Sequence, residues 1–155
     1  MQWADRFYDL KRGDGCPLCA EGRPDETDHG ISFFAGELTD AYLFRGGVQR
    51  GLSHVYFRGR HVVEPTELSA DEAKQFFAEL LHVGRAIERV FEPVKMNYDI
   101  LGNSVPHLHV HVIPRYAEDS RPGWPFPFPA EDPPPFPDDQ VRADAVRLRA
   151  AAGRW

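Results

Sequence analysis

Short hydrophobic runs and turns that contain glycine follow one another in the early part of the chain. Residues 31–35, 41–44 and 53–57 are rich in aromatic and β-branched side chains, and glycine-containing turns separate them. Short runs of this composition between turn residues are typical of β-strands. These segments predict an antiparallel β-meander.

The pattern then changes to the 3.6-residue period of a helix. Ser69 and Glu72 have the spacing of a capping box, and Pro93 ends the pattern. Apolar residues recur at helical spacing between these limits, at Phe76, Phe77, Leu80, Val83, Ile87, Val90 and Phe91. One long amphipathic helix is predicted here.

Apolar and polar residues alternate after Pro93, at Met96, Tyr98 and Ile100 and again over residues 108–112. These runs predict two further strands. The predicted fold class is therefore α+β. It consists of an antiparallel meander sheet of about five strands, a long amphipathic helix packed on it, and a proline-rich C-terminal tail.

The chain of 155 residues is long enough for one domain with a sizeable core. We predict a polar N-terminal arm over residues 1–15 and the domain itself over residues 16–118. Residues 119–155 form a tail in which proline is frequent, and such a segment is expected to run extended over a surface. The Ala- and Arg-rich residues 141–154 are compatible with a short helix.

Composition narrows the classes of function. The net charge of −6 argues against binding along a nucleic-acid backbone, so a phosphate ligand would have to be held locally. We find neither a signal peptide in the first residues nor an apolar stretch of about 20 residues that would span a membrane. The sequence predicts a cytoplasmic protein without a membrane partner.

Three of the seven histidines alternate along one predicted strand, as His107, His109 and His111. Side chains at i, i+2 and i+4 of a strand lie on one face, so the three imidazoles are expected to share a face. An exposed strand face that happens to carry histidines is one interpretation. A metal site and nucleophilic catalysis by a neutral imidazole are two others, and periodicity does not choose between them.

The residues around the histidines resemble a known signature. Residues 102–115 resemble the motif of the histidine triad superfamily, in which three histidines alternate with apolar residues and a proline and an arginine often follow. Gly102, Asn103 and Ser104 are similar to residues of its nucleotide-binding branch, and Asn97 lies near an asparagine of that branch. The resemblance covers about residues 16–115, so residues 16–118 are interpreted as a histidine triad domain.

The resemblance implies a role for each matching residue. His109 would be the nucleophile that takes the nucleotidyl group, while His107 and His111 would orient it and stabilise phosphate oxygens. The substrate contacts that the resemblance implies come from Ser104, Asn97, Asn103 and His54. Ser53 is the alternative to His54, because an ungapped match is one residue short. Arg115 would pair with a phosphate or cap the end of the strand.

The function implied is that of a nucleotide hydrolase or nucleotidyl transferase that works through a covalent nucleotidyl-histidine. Dinucleoside polyphosphates and adenosine phosphoramidates are the substrates that the family suggests. A nucleotide-binding regulatory module with little turnover is the alternative from another class. A zinc-dependent hydrolase with its metal in the triad is a third hypothesis, weakened because no carboxylate lies beside the histidines to act as a base.

The only two cysteines, Cys16 and Cys19, have a spacing that suits a metal or a redox pair. In cysteine-bearing relatives the other two ligands are similar in position to His61 and His107. The resemblance thus implies a structural Zn²⁺ held by two cysteines and two histidines, and His107 would then support His109 indirectly. A reduced, packed thiol pair and a redox pair are the alternatives.

The family fold implies a homodimer with a shared sheet. In nucleotide-binding members a tryptophan-proline pair reaches the partner's site, and Trp124 is followed by proline here. The spacing from the triad is several residues longer than in those members. We therefore interpret Trp124 as an aromatic anchor that pins the tail to the surface.

Overall fold

A computed structural model describes residues 3–131 and 133–154 of the chain. Five strands form one sheet in the order β1-β2-β3-β5-β4, and every neighbouring pair is antiparallel. Their bounds are β1 Gly30–Ala35, β2 Thr39–Phe44, β3 Ser53–Phe57, β4 Lys95–Asp99 and β5 His109–Arg115. The predicted α+β class, with a long helix packed on an antiparallel sheet, is confirmed.

The strand order differs from a simple meander. The strands β1, β2 and β3 follow one another, but the chain then crosses to the outer position as β4 and returns as β5 between β3 and β4. The crossing is made by helix α3, Ala70–Phe91, whose 22 residues span about 33 Å. This insertion places β5, the strand with His109 and His111, in the interior of the sheet beside β3.

Helix α3 has a capping box at its N-terminus and a left-handed residue at its C-terminus. The Ser69 hydroxyl accepts from the Glu72 amide while the Glu72 carboxylate accepts from the Ser69 amide, as in the predicted capping box. At the other end Glu92 adopts a left-handed conformation with φ of 48° and stops the helix. The buried face of the helix, including Phe76, Val83 and Ile87, packs on the sheet.

The C-terminal residues belong to the same core. Helix α4, Asp138–Ala152, packs against α3 and β1. Val141, Ala145, Leu148 and Ala152 of α4 are buried within the main hydrophobic cluster. Their weak apolar stripe suffices because alanines allow the helix to approach its neighbours closely.

Two short helices precede the sheet in the segment interpreted as a polar arm and its cysteine loop. Helix α1 is Asp5–Lys11 and helix α2 is Pro17–Ala20, and a single 3-10 turn, Pro65–Glu67, leads into α3.

Four residues that the sequence analysis assigned to the arm and the tail lie outside the described residues, namely Met1, Gln2, Asp132 and Trp155. Within the described part of the chain no helix combines the length and the apolar character needed to cross a bilayer.

Candidate active site and metal centre

Strands β3 and β5 bring four ring side chains together on one face of the sheet. His54 pairs with His111 and Tyr56 pairs with His109 in the antiparallel register. Directly opposed residues of neighbouring strands project to the same side, so the two pairs form a continuous patch. The ring centroids of His54 and His111 are 4.6 Å apart, and those of Tyr56 and His109 are 5.8 Å apart.

The hydrogen bonds of His109 fix which of its nitrogens carries the proton. Its Nδ1 lies 2.6 Å from the carbonyl oxygen of His107, which can only accept, so Nδ1 is the protonated nitrogen. Burial lowers the pKa of His109, although the bond to the His107 carbonyl opposes this effect, and the ring is neutral at neutral pH. Nε2 of His109 therefore presents a lone pair, as a nucleophile requires.

His111 and His54 are neutral donors around that lone pair. Nε2 of His111 is 3.1 Å from Nε2 of His109 and must be the donor, because the latter nitrogen carries no proton. Burial and the neighbouring His109 lower the pKa of His111 to about 4. Burial, followed by His111 and His109, lowers the pKa of His54 to about 3.

These side chains line an open cavity of about 690 Å³. We call it the triad cavity, and its walls come from helix α2, strands β2, β3 and β5, the loop between β4 and β5, and the tail. The residues lining it are Pro17, Leu18, Glu21, His29, Phe44, His54, Tyr56, Leu101, Gly102, Asn103, Ser104, Val105, His109, His111 and Phe128. Asn103 and Ser104 are exposed at its rim, so both predicted substrate-contacting loop residues lie beside the imidazoles.

His107 lies just before the strand that carries the other two histidines, and its ring does not line the triad cavity. Strand β5 begins only at His109, and a tight turn with a bond from the His107 amide to the Val105 carbonyl precedes it. The turn directs the buried His107 ring away from the triad cavity and toward the two cysteines. Periodicity could not predict this because it holds only inside the strand.

His107 lies instead in a second cluster with Cys16, Cys19 and His61, which we call the metal cluster. The four ligand atoms lie within 4.8 Å of one another. Nδ1 of His107 is 3.5 Å from both sulfurs, and Nδ1 of His61 is 3.4 Å from the Cys19 sulfur. Tetrahedral coordination with Zn–S of about 2.3 Å and Zn–N of about 2.0 Å would place sulfur and nitrogen about 3.5 Å apart.

The surroundings of the metal cluster also fit a cation. Both imidazoles turn Nδ1 inward and bind a backbone carbonyl through Nε2, His107 to Phe57 at 2.8 Å and His61 to Lys11 at 3.3 Å. Metal-bound histidines are held in this way, because a carbonyl keeps the proton on the outer nitrogen. Without a cation, burial and the neighbouring Cys16 raise the pKa of Cys19 to about 11, so a metal ion is needed to favour thiolates.

Asn97 and Arg115 are not brought to the triad cavity. Arg115 ends strand β5, about 13 Å along it from His111, and its guanidinium is buried. It donates to Asp119, to Oδ1 of Asn97 at 2.8 Å and to two carbonyls of the tail. The predicted substrate contacts of these two residues are replaced here by a network that fastens the tail to the sheet.

The tail is anchored by residues that sequence analysis did not single out. The Phe128 ring packs edge-on against His111 with centroids 5.6 Å apart, and Phe126 lies over the Arg115 guanidinium at 5.4 Å. Trp124, predicted as the anchor, is 63% exposed and contacts Arg121. The position of Tyr56 was predictable from alternation with His54, whereas Phe128 approaches through a long-range contact.

Part of the chain matches a known protein family. The family model described as HIT domain matches residues 54–118. The protein named Protein hit of Bacillus subtilis (strain 168) is 36% identical over 63 residues, which are 37% of this chain and 43% of that protein. The chain thus matches less than half the length of this curated relative.

Solved structures extend the likeness over most of the chain. A histidine triad protein from Sinorhizobium meliloti 1021 matches with a TM-score of 0.70 and 26% identity, covering 79% of this chain and 90% of that one. A structure described as a Zn-bound histidine triad family protein from Mycobacterium smegmatis shares the fold, with a TM-score of 0.63, 22% identity and coverage of 88% and 92%. The matching family model and these neighbours lead to one conclusion: residues 54–118 match the HIT domain family, and the chain has the fold of histidine triad proteins.

Proposed function

We propose that this protein is a nucleotide hydrolase or nucleotidyl transferase that works through a covalent intermediate on Nε2 of His109. The observation that carries the proposal is the bond from Nδ1 of His109 to the His107 carbonyl, which leaves an unprotonated Nε2 in a cavity lined by two further imidazoles. Phosphoryl chemistry needs an aligned nucleophile and donors directed at the non-bridging oxygens. Neutral His54 and His111 are suited to supply those donors.

The reaction takes place in two balanced displacements. Nε2 of His109 attacks the phosphorus of a nucleoside monophosphate unit, a P–N bond forms, and the P–O or P–N bond to the leaving group breaks. The leaving group departs with the electron pair and takes up a proton, and the Ser104 hydroxyl at the cavity rim is the donor that we propose. Water then attacks phosphorus and gives up a proton that restores the Ser104 hydroxyl, the P–N bond breaks with its electron pair returning to Nε2 of His109, and the mononucleotide leaves.

The test is a panel of adenosine phosphoramidate, dinucleoside polyphosphates and nucleoside diphosphate sugars, offered to the wild type and to His109→Asn. We expect turnover of a phosphoramidate or a polyphosphate, and a loss in kcat of about 10³-fold or more in the variant. Rapid acid quenching and mass spectrometry are expected to detect a nucleotidyl adduct on the peptide that contains His109.

The control is His82→Gln, which changes an imidazole on α3 that packs against Phe34 outside the triad cavity. It is expected to retain wild-type turnover. Tight nucleotide binding without turnover by the wild type would favour the regulatory module instead. Activity that survives His109→Asn but is lost with a chelator would favour a metal-dependent hydrolase.

The proposal includes a structural zinc ion in the metal cluster. Zinc would be held by Cys16, Cys19, His61 and His107, and it would fasten the segment around α2 to the end of β3 and the start of β5. With four protein ligands such an ion has no open position for substrate, so we assign it no chemical step.

Metal analysis of the purified protein is expected to give about one zinc per chain, and Cys19→Ser less than half of that. Removal of zinc by a chelator is expected to lower the Tm by several degrees in the wild type and much less in Cys19→Ser. Exposed Ser120→Ala serves as a control with full zinc content. A zinc content near zero in the wild type would contradict this part of the proposal without affecting the role of His109.

The proposal also includes a homodimer in the cytoplasm. Strand β4 is an end strand of the sheet, and Tyr98 and Ile100 beside its outer edge are about 40% exposed. An unpaired edge with apolar neighbours is a template for pairing with a second copy. A reducing compartment would keep the two cysteines available as metal ligands.

A further inference from the structure

The hydroxyl of Tyr56 contacts one of the cavity imidazoles directly. Tyr56 and His54 are two residues apart on β3 and therefore project to the same face. The Tyr56 oxygen lies 3.0 Å from Nδ1 of His54. The His54 ring is also held between Phe44 and His111, with centroid distances of 5.1 Å and 4.6 Å.

The Tyr56 hydroxyl is available as a donor to His54. Burial raises the pKa of Tyr56 well above its ordinary value, so the hydroxyl keeps its proton at neutral pH. Among the described residues this hydroxyl has a single hydrogen-bond partner, Nδ1 of His54. When the hydroxyl donates to this nitrogen, Nδ1 accepts and the proton of the neutral His54 ring is on Nε2.

The tautomer of neutral His54 determines whether it can donate a hydrogen bond to a phosphate oxygen. A neutral imidazole has one donor nitrogen and one acceptor nitrogen. With the proton on Nε2, His54 offers the cavity an N–H that can stabilise a negatively charged oxygen. With the proton on Nδ1 it would offer a lone pair and repel the same oxygen.

We propose that Tyr56 is a positioning residue, which holds His54 in the tautomer whose Nε2–H donates to a non-bridging oxygen of the bound nucleotide phosphate. This inference rests on the proposed function for its consequence in turnover, but the tautomer itself does not depend on turnover. It goes beyond the triad because Tyr56 acts through His54.

The first experiment measures the tautomer directly. Long-range ¹⁵N–¹H correlation spectra of the wild type at pH 7 are compared with those of Tyr56→Phe, and His54→Gln assigns the signals. We expect the wild-type His54 to have its proton on Nε2 alone, and Tyr56→Phe to show both tautomers or the reverse one. An unchanged His54 signal in Tyr56→Phe would overturn the proposal.

The second experiment measures the consequence. Tyr56→Phe is expected to lower kcat/KM about tenfold, as the loss of one oriented hydrogen bond would, and to have no further effect in a His54→Gln background. The matched control is Tyr42→Phe on the neighbouring strand, whose hydroxyl donates to the Pro24 carbonyl at 2.6 Å. An equal loss in Tyr42→Phe, or additive losses in the double variant, would overturn the coupling.

The two proposals fail in different ways. A wild type without turnover contradicts the proposed function, and the ¹⁵N spectra then decide the tautomer alone. In that case the Kd for AMP replaces kcat/KM, and it is expected to rise about tenfold in Tyr56→Phe and to stay unchanged in Tyr42→Phe. Equal Kd values for the wild type and Tyr56→Phe would overturn the role in phosphate binding.

Discussion

His54 and His111 lie uncharged in the triad cavity, and this has a measurable effect on stability. Both have folded-state pKa values, of about 3 and about 4, that are below the usual value near 6.5. At pH values between the folded-state pKa values and 6.5, the two histidines are protonated in the unfolded chain but not in the folded chain. The contribution of the two neutral histidines to the free energy of unfolding is therefore complete above pH 6.5, and it is lost as the pH falls toward their folded-state pKa values.

We expect the free energy of unfolding of the wild type to fall between pH 7 and pH 5 by about 2 kcal/mol more than that of His54→Gln. The variant removes a group that becomes protonated only after unfolding in this range. Urea unfolding at both pH values measures the difference. Equal losses in the wild type and the variant would mean that His54 takes up its proton in the folded state.

At the residue scale, the sequence predicted which residues form the sites better than it predicted where each side chain lies. The motif identified His109, His111 and Ser104, all of which line one cavity, and His61 with the two cysteines, which form one cluster. It did not reveal that β5 begins only at His109, since a single tight turn decides this. Arg115 was equally unpredictable, because its partners belong to the tail and to β4.

At the scale of elements, α3 is tied to the sheet by a buried carboxylate as well as by apolar packing. Glu79 is fully buried and accepts from two amides of the β1–β2 turn, from the Thr39 hydroxyl at 2.6 Å and from the Gln75 amide at 2.7 Å. A buried carboxylate is stable only with such donors around it. Glu79 thus fixes the turn between β1 and β2 to the helix.

We expect Glu79→Gln to lower the free energy of unfolding by about 2 to 3 kcal/mol, because the amide turns one acceptor into a donor that faces other donors. The control is Glu88→Gln on the exposed face of the same helix, with an expected change within about 0.5 kcal/mol. Chemical unfolding at neutral pH measures both. A loss of equal size in the two variants would contradict the role of the buried network.

Helix α4 is expected to behave as part of the core and not as a removable tail. Leu148 is fully buried against α3 and β1, so Leu148→Ala is expected to cost about 2 to 5 kcal/mol. Val146 on the same helix is 61% exposed, and Val146→Ala is expected to cost less than about 0.5 kcal/mol. Thermal unfolding compares them, and a silent Leu148→Ala would mean that α4 detaches in solution.

Local patterns predicted the elements with strong periodicity. The strand β3 and the helix α3 were predicted within one residue of their bounds, and the other strands within two or three. Helices α1 and α2 were not predicted because they are only seven and four residues long. The place of β5 between β3 and β4 was not predictable either, since long-range pairing is not encoded in any single window of sequence.

For the whole molecule, the proposed homodimer gives a prediction about the β4 edge. Ile100→Asp places a charge beside the outer strand, and we expect it to convert a dimer of the 17.6 kDa chain into a monomer. Val146→Asp adds the same charge to an exposed position on α4 and is expected to leave the dimer intact. Sedimentation velocity distinguishes the two, and a dimer in both variants would place the interface elsewhere.

His107 joins the two centres of the molecule, since its ring belongs to the metal cluster while its carbonyl orients His109. A side-chain substitution removes the ring and keeps the carbonyl, so its phenotype is that of a lost ligand. In a saturation mutagenesis screen we expect the tolerance profile of position 107 to follow those of Cys16 and His61. In such a screen His109 and His111 are expected to group together, and His107 is expected to group with the cysteines.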